Sequence, residues 1–279
     1  AVMGACFGGP SFTAMQSDYV VIVDGTGFLG MSGPPVVKVG IGLETTSAEI
    51  GGADKTARER GQADYLASSD SDALLNIREF LSYFPDSSNE LPPSVAPEPA
   101  AVDTPEGSQQ IIDLVSDSQR RAYDMVELLK LVVDGGKLFP YRAEYGPNFI
   151  TTWARVEGRT VGILANNPMH LAGALDSKAA YKMRKFVEIC DAFHIPLVFF
   201  TDCPGFLVGP SIEDERMVSL AARCLNALIG VTVPKITIVV RKAIGLAYLA
   251  MAGKAMHPDM IVSWPTGRFD VMGTLAGVE

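Results

Sequence analysis

One arrangement of residues capable of chemistry occurs twice in this chain. The first copy runs Val2-Met3-Gly4-Ala5-Cys6-Phe7-Gly8-Gly9-Pro10-Ser11-Phe12-Thr13-Ala14-Met15. The second runs Val239-Val240-Arg241-Lys242-Ala243-Ile244-Gly245-Leu246-Ala247-Tyr248-Leu249-Ala250-Met251. Each is an apolar run, then a turn of small residues, then a helix-like stretch ending in Ala-Met. A strand, a glycine turn and a helix start together aim free N–H groups at one point, where a developing negative oxygen can be held. Two copies imply two such holes and two carbonyl-bearing substrates. A segment of high β propensity follows each copy, at 18–23 and at 259–262.

Two further segments could line a site. The run from Asn166 to Asp176 follows a predicted strand and precedes a predicted helix, with Asp176 as its N-cap. A substrate-lining loop and a simple capped connection are both open there. Thr201-Asp202-Cys203-Pro204-Gly205-Phe206-Leu207-Val208-Gly209-Pro210 follows a buried strand, and ligands favour the carboxyl ends of such strands. Asp202 reads as a structural carboxylate accepting turn N–H groups, with general base as the alternative. His170, His194 and His257 share no metal-ligand spacing, and no Ser–His–Asp or Cys–His set follows from spacing. No metal is therefore expected. The reaction is expected to rest on backbone amides and a cofactor.

The 279 residues can bury a sizeable core, and 48% hydrophobic composition is ordinary for an enzyme. A net charge of −9 argues against a nucleic-acid partner. The basic clusters Lys55/Arg58/Arg60 and Arg241/Lys242 read as solvated surface charge, with phosphate contact the alternative. Cys6, Cys190, Cys203 and Cys224 show no Cys-x-x-Cys spacing, which fits reduced thiols in a cytoplasmic setting, or the mitochondrial matrix of a eukaryote. No apolar run reaches 18 residues, so no membrane span is predicted. The chain opens directly on a core strand with no initiating Met or signal segment, so a fragment or a truncated reading frame is expected.

The elements that must carry these residues alternate. The spacing predicts a helix over 70–83, with Leu74, Ile77, Phe80 and Leu81 on its apolar face. A Pro-rich linker over 85–110 separates a first part, 1–84, from a second, 111–279; its repeated prolines argue against helix or central strand. In the second part, strands are predicted at 161–165, 196–200 and 235–240. Helices are predicted at 176–193, with Ala180, Met183, Phe186, Val187 and Cys190 inward, and at 217–229. This order indicates α/β layering with mainly parallel pairing.

Taken together, Cys6-Phe7-Gly8-Gly9, Ser32-Gly33-Pro34-Pro35-Val36-Val37-Lys38, Gly51-Gly52-Ala53, the Leu171–Asp176 loop, Cys190-Asp191-Ala192-Phe193, Cys203-Pro204-Gly205-Phe206 and Arg241-Lys242-Ala243 carry a resemblance. The chain resembles the carboxyltransferase (β) subunit of biotin-dependent acyl-CoA carboxylases, of which propionyl-CoA carboxylase β chains are the best-known members. The resemblance runs through nearly all of the chain. It implies a crotonase-like (ClpP/crotonase) α/β fold duplicated in two domains. Residues 1–84 would be the C-terminal half of an incomplete first domain and 111–279 the second. It also implies a homo-oligomer, a dimer at minimum and a hexamer at full length, with the turn at Gly8/Gly9 of one subunit opposite that at Leu246/Ala247 of another.

Carried over residue by residue, the acyl-CoA carbonyl would meet the amides of Gly8 and Gly9, since Pro10 has no N–H. The biotin ureido oxygen would meet those of Leu246 and Ala247. Gly33, Pro34, Gly173, Ala174, Gly205, Phe206 and Leu249 would line the substrates. Leu246 departs from the family's usual glycine, and a non-glycine residue is restricted at positive φ. Leu249 stands where some relatives carry an acid, Thr56 where many have His, and Ser219-Leu220 where an Arg-His pair is common. The implied reaction moves a carboxyl group from biotin, carried by a partner carrier or biotin carboxylase subunit, to the α-carbon of an acyl-CoA through an enolate. An acyl-CoA decarboxylase running in reverse and a non-catalytic remnant are the alternatives.

Overall fold

The computed structural model describes residues 1–118 and 121–272. Residues 119, 120 and 273–279, which the sequence assigns to the second part, lie outside the described residues. The chain forms two compact units. One is Ala1–Ser82 together with Arg142–Tyr145; the other is Tyr83–Tyr141 with the chain from Gly146 onward. Among the described residues, no helix is long and apolar enough to cross a membrane, and no three His, Cys, Asp or Glu side chains are grouped to hold a metal ion.

The first unit holds β1 (Ala5–Phe7), α1 (Gly9–Met15), β2 (Val21–Val23), β3 (Phe28–Gly30), α2 (Pro34–Ile41), α3 (Ser47–Gly51), a π-helical turn at Lys55–Glu59, β4 (Tyr65–Ala67) and α4 (Asp70–Leu81). Two short parallel pairs, β1–β3 and β2–β4, form its sheets, with a parallel bridge from Val2 to Ile22. Val2, Val20, Ile22, Leu29, Ala53 and Ala57 pack between them. Gly51 is required by close approach, since a Cβ there would lie 1.9 Å from the Leu29 carbonyl oxygen. Helix α4 ends two residues before the predicted boundary and turns differently from expectation. Ala73 and Phe80 are its buried residues, whereas Leu74 and Leu81 are exposed. The cause is tertiary: Phe80 stacks on Tyr19 at 4.3 Å, and the small Ala73 lets the helix lie close to β2.

The segment Arg142–Tyr145 reaches this unit from far along the chain. Arg142 Nε donates to Asp64 Oδ1 at 2.6 Å, both side chains being fully buried. The other Asp64 oxygen accepts the Val20 N–H at 2.7 Å. Arg58 also pairs with Glu144 at 2.6 Å.

The second unit holds α5 (Pro105–Leu114), α6 (Met125–Val132), β5 (Leu138–Pro140), β6 (Phe149–Val156), β7 (Arg159–Asn166), α7 (Ser177–Ala192), β8 (Leu197–Cys203), α8 (Pro210–Asp214), α9 (Met217–Gly230), β9 (Lys235–Ile244), α10 (Gly245–Ala250), β10 (Met260–Ser263) and β11 (Arg268–Asp270). A seven-stranded sheet runs β10-β9-β8-β7-β6-β5, with β11 also on β9. Pairing from β7 through β11 is parallel, whereas β5–β6 and β6–β7 are antiparallel. Period-two alternation sorts β7: Val161, Ile163 and Ala165 join the cluster of Met125, Leu128 and Leu129 on α6. Gly162 faces the other way, where a Cβ would meet Cys190 and Phe186 of α7. The predicted inward residues of α7 are all buried.

The Pro-rich stretch is not uniformly extended. A 3₁₀ turn spans Ala101–Asp103, and α5 begins at Pro105, inside the predicted linker. Proline at the first helical position loses no hydrogen bond, and Thr104 caps the helix by accepting the Gly107 N–H at 3.1 Å. The prolines before it, from Pro85 to Pro99, lie outside helix and strand.

Candidate active site

Both glycine turns are built on one plan. Val2 pairs in parallel with Ile22, and Val239 with Ser263. Ala5-Cys6-Phe7 pairs with Phe28-Leu29-Gly30, and Lys242-Ala243-Ile244 with Arg268-Phe269-Asp270. In each copy the residue after this triplet is a glycine with left-handed φ, 70° at Gly8 and 62° at Gly245. Helix α1 begins at the next residue, Gly9, and α10 at Gly245 itself. The internal repeat legible in the sequence is therefore a repeat of strand register and of a positive-φ glycine.

Details of the first turn sort its amides. The Gly8 N–H donates to the Met31 carbonyl at 3.0 Å, extending the β1–β3 ladder. Its carbonyl accepts from Ser11 N–H at 3.1 Å and from Ser11 Oγ at 2.6 Å. Gly9 is the first residue of α1, where amides have no acceptor within the helix, and Pro10 offers no N–H. Gly9 is thus the donor this turn presents, and it is solvent-exposed. Gly33 and Pro34 begin α2 beside it: a Cβ on Gly33 would meet the Phe7 ring at 3.2 Å.

At the second turn the left-handed conformation falls on Gly245, so Leu246 is spared it. The usual glycine can be replaced there because its neighbour takes the strained torsion. Leu246 projects its side chain outward, 69% exposed, while Ala247 is fully buried and Leu249 half-buried.

The loops at the ends of β7 and β8 are held by buried amides that the sequence reading did not single out. Asn166 Nδ2 donates to the Gly173 carbonyl at 2.9 Å, and its Oδ1 accepts the Asp202 N–H at 3.2 Å. Asn148 Nδ2 donates to the Ala174 carbonyl at 2.7 Å, and Asp176 Oδ1 caps α7 through the Ala179 N–H at 2.8 Å. Leu171, Ala172 and Gly173 are consecutive left-handed residues, with φ of 49°, 53° and 81°. Two of them are not glycine, a conformation that persists only where surroundings enforce it. Leu175 N–H donates to Gly205 O at 3.0 Å, and Leu207 N–H to Leu175 O at 2.8 Å. Gly173, Ala174, Gly205 and Phe206 are thereby brought into one group.

Beneath them lies a buried charge cluster. Arg241 donates from Nε to Asp202 Oδ2 at 2.9 Å, and its Nη2 lies 2.8 Å from the same oxygen. Arg241 Nη1 donates to the carbonyls of Ser118 and Arg121, both at 2.8 Å. Asp202 Oδ1 accepts the Lys242 N–H at 3.2 Å. Asp202 is therefore the structural carboxylate of the first expectation, fully buried and saturated with donors. The reading of Arg241/Lys242 as solvated charge is corrected: their relative exposures are 1% and 9%. A buried carboxylate at the end of the adjacent strand draws them inward. Lys55, Arg58 and Arg60 are exposed as expected. Thr56, at the family's His position, is buried and donates to the Gly51 carbonyl at 3.3 Å.

The thiols are not poised for chemistry. All four are free. Burial pushes Cys203 and Cys224 up to about 12, and raises Cys190 as well.

Residues 1–279 match the carboxyl transferase domain family. Among similar proteins is a biotin-dependent long chain acyl-coenzyme A carboxylase β4 subunit of Mycobacterium tuberculosis, 39% identical over 98% of this chain and 52% of that one. Another is a methylmalonyl-CoA decarboxylase α subunit of Propionigenium modestum, 36% identical over 100% of this chain and 53% of that one. The structure of transcarboxylase 12S, a hexamer solved with methylmalonyl-coenzyme A, superposes with a TM-score of 0.92 at 34% identity, covering 99% of this chain and 53% of that one. The chain spans about half the length of the curated relatives it matches. A matched family over its whole length, a crotonase-like neighbour and a doubled glycine turn agree: the chain belongs to the carboxyl transferase domain family, with a crotonase-like fold.

Proposed function

We propose that the protein is the carboxyltransferase part of a biotin-dependent acyl-CoA carboxylase, moving a carboxyl group between biotin and the α-carbon of an acyl-CoA. The observation that carries this reading is the pair of turns at Gly8 and Gly245, alike in register and in φ. Biotin on a partner carrier would supply the transferable carboxyl group and the base for the acyl α-proton, with the amides of Leu246 and Ala247 placed to hold it. The donors suit that group in kind: the first amides of α10 have no acceptor within the helix, and a buried lysine lies three residues upstream.

This chain's residues act by placement. The Gly9 amide holds the acyl carbonyl oxygen as it becomes an enolate oxygen. A single donor of this kind contributes about 3–4 kcal/mol of transition-state stabilisation. The amides of Leu246 and Ala247 hold the ureido oxygen. Gly33, Pro34, Gly173, Ala174, Gly205, Phe206 and Leu249 border the substrates. Leu249 in place of an acid makes the pocket that selects the acyl-CoA more apolar. Asp202 serves structure rather than acid–base chemistry, because Arg241 and the Lys242 N–H occupy its oxygens.

Two turns in separate units of the fold act on two substrates when the Gly9 turn of one subunit faces the Leu246 turn of another. A dimer is then the minimum catalytic unit and a hexamer the full-length state. The 12S hexamer supports this, as do Val208, Val218 and Ile229, apolar side chains left 87%, 70% and 66% exposed. Four free thiols support a cytoplasmic setting. The similarity to a decarboxylase α subunit keeps the reverse direction as the second reading; the same residues serve either way, and neighbouring genes for biotin carboxylase or a membrane decarboxylase separate the two. The test is carboxylation of short acyl-CoAs by the full-length protein with a carboxylated biotin carrier. Product with one or more of them is expected, and no product with any acyl-CoA overturns the reading.

A further inference from the structure

The charges around Asp202 do not balance. Among the described residues, one carboxylate faces two cations. Arg241 takes Oδ2 with both Nε and Nη2, at 2.9 and 2.8 Å. Lys242 Nζ is left 3.6 Å from Oδ1, an oxygen already accepting the Lys242 backbone N–H. Among the described residues, the other contact of Nζ is the Ala172 carbonyl at 3.4 Å. Both distances are long for an ammonium, which forms charge-assisted bonds at about 2.7–2.9 Å. Lys242 is nonetheless 9% exposed as a residue, and its side chain 11%. A buried cation in surplus is costly unless an anion accompanies it. The Ala172 carbonyl reaches Nζ from the middle of the left-handed run Leu171–Gly173, a strained backbone that Asn166 holds through Gly173 O. Strain of this kind concentrates where a ligand is received.

We propose that Lys242 binds the carboxylate of the transferable carboxyl group, beside the loop Leu171–Gly173. The inference rests on the carboxyl-transfer reading for the identity of that carboxylate. The geometry itself calls only for a small carboxylate at the ammonium. With it in place, Lys242 closes the charge balance that Asp202 and Arg241 leave open. The Leu171–Gly173 run then serves to keep the ammonium loosely tethered and turned to the ligand.

The test uses the full-length protein with two variants. Lys242→Met keeps the stem and removes the charge; Lys242→Arg keeps the charge. In Lys242→Met the KM for the carboxylated donor should rise at least tenfold, while the Kd for an uncarboxylated acyl-CoA stays within twofold. Lys242→Arg should recover part of the loss. A second measurement needs neither turnover nor a variant. Malonate, as a dicarboxylate probe, should slow reductive methylation of Lys242 in the wild-type protein, read by mass spectrometry. An unchanged donor KM in folded Lys242→Met, or equal rises in donor KM and acyl-CoA Kd, overturns the subsite. Methylation of Lys242 that malonate does not slow overturns it too. Protection by malonate in a protein that carboxylates no acyl-CoA upholds the subsite and overturns carboxyl transfer.

Discussion

Gly8 and Gly245 are structural counterparts: each follows three residues paired in parallel with the next strand, and each holds a left-handed φ, 70° and 62°. The residues after them differ. Gly9 and Leu246 both escape the left-handed region, so the requirement for glycine is confined to the first position of each turn. Gly8→Ala and Gly245→Ala should therefore each cost about 1–2 kcal/mol, read as lowered urea midpoints. At Gly245 a Cβ also meets the Val271 carbonyl at 3.1 Å. Gly9→Ala has open space around it and should leave the midpoint unchanged or slightly raised. Equal losses at all three positions would refute the assignment.

Gly9 is the first helical residue of α1, a position where proline is accommodated. Gly9→Pro should fold, by circular dichroism, and lose about 10²–10³ in kcat through removal of one donor. Wild-type turnover in a folded Gly9→Pro protein would count against this amide.

Asp202→Asn leaves the buried Arg241 guanidinium without its counter-charge. Breaking a buried pair from one side costs about 3–5 kcal/mol, so the melting temperature should fall clearly. The folded fraction should still transfer carboxyl groups, because Asp202 is not the base. Loss of all transfer in protein that remains folded would reverse that role.

Cys203 and Cys224 should make the fold alkali-sensitive. Both thiols rise from 9.0 to about 12 on burial. Below pH 9 both states keep these protons and stability is flat. Between pH 9 and 12 the unfolded chain gives them up first, so stability falls as pH rises and this contribution is gone by about 12. Urea midpoints measured from pH 8 to 10.5 should drop, and Cys224→Ala should flatten the drop. An identical slope in that variant would rule out the thiol as its source.

Much of this architecture was legible because it rests on short-range signals. The α7 face, from Ala180 to Cys190, follows helical spacing, and Asp176 announces the cap. The repeat of the two glycine turns was visible in residue order alone. Features that depend on distant partners were not. Arg241 looked solvated because nothing near it in sequence reports the carboxylate of Asp202. Leu74 and Ala73 are adjacent, and only the stacking of Phe80 on Tyr19 decides which of them turns inward. Pro105 read as a helix breaker, since proline at a first helical position and proline in a linker look alike until Thr104 is seen capping Gly107. The Gly8 amide looked free because its acceptor, Met31, lies a strand away.

The ion pair between Asp64 and Arg142 has a consequence for synthesis. On a ribosome the amino-terminal unit emerges long before Arg142 does. Until then Asp64 has no guanidinium to neutralise it, and burying a lone carboxylate is unfavourable. Residues 1–82 should therefore stay open, their β2 edge unsettled, while some sixty further residues are translated. Vectorial folding, amino terminus first, is the common order for multi-unit chains. Here the late-arriving strap at Arg142–Tyr145 ties completion of the first unit to translation of part of the second, so a nascent chain stalled before Arg142 should remain protease-sensitive and one stalled well past it should not.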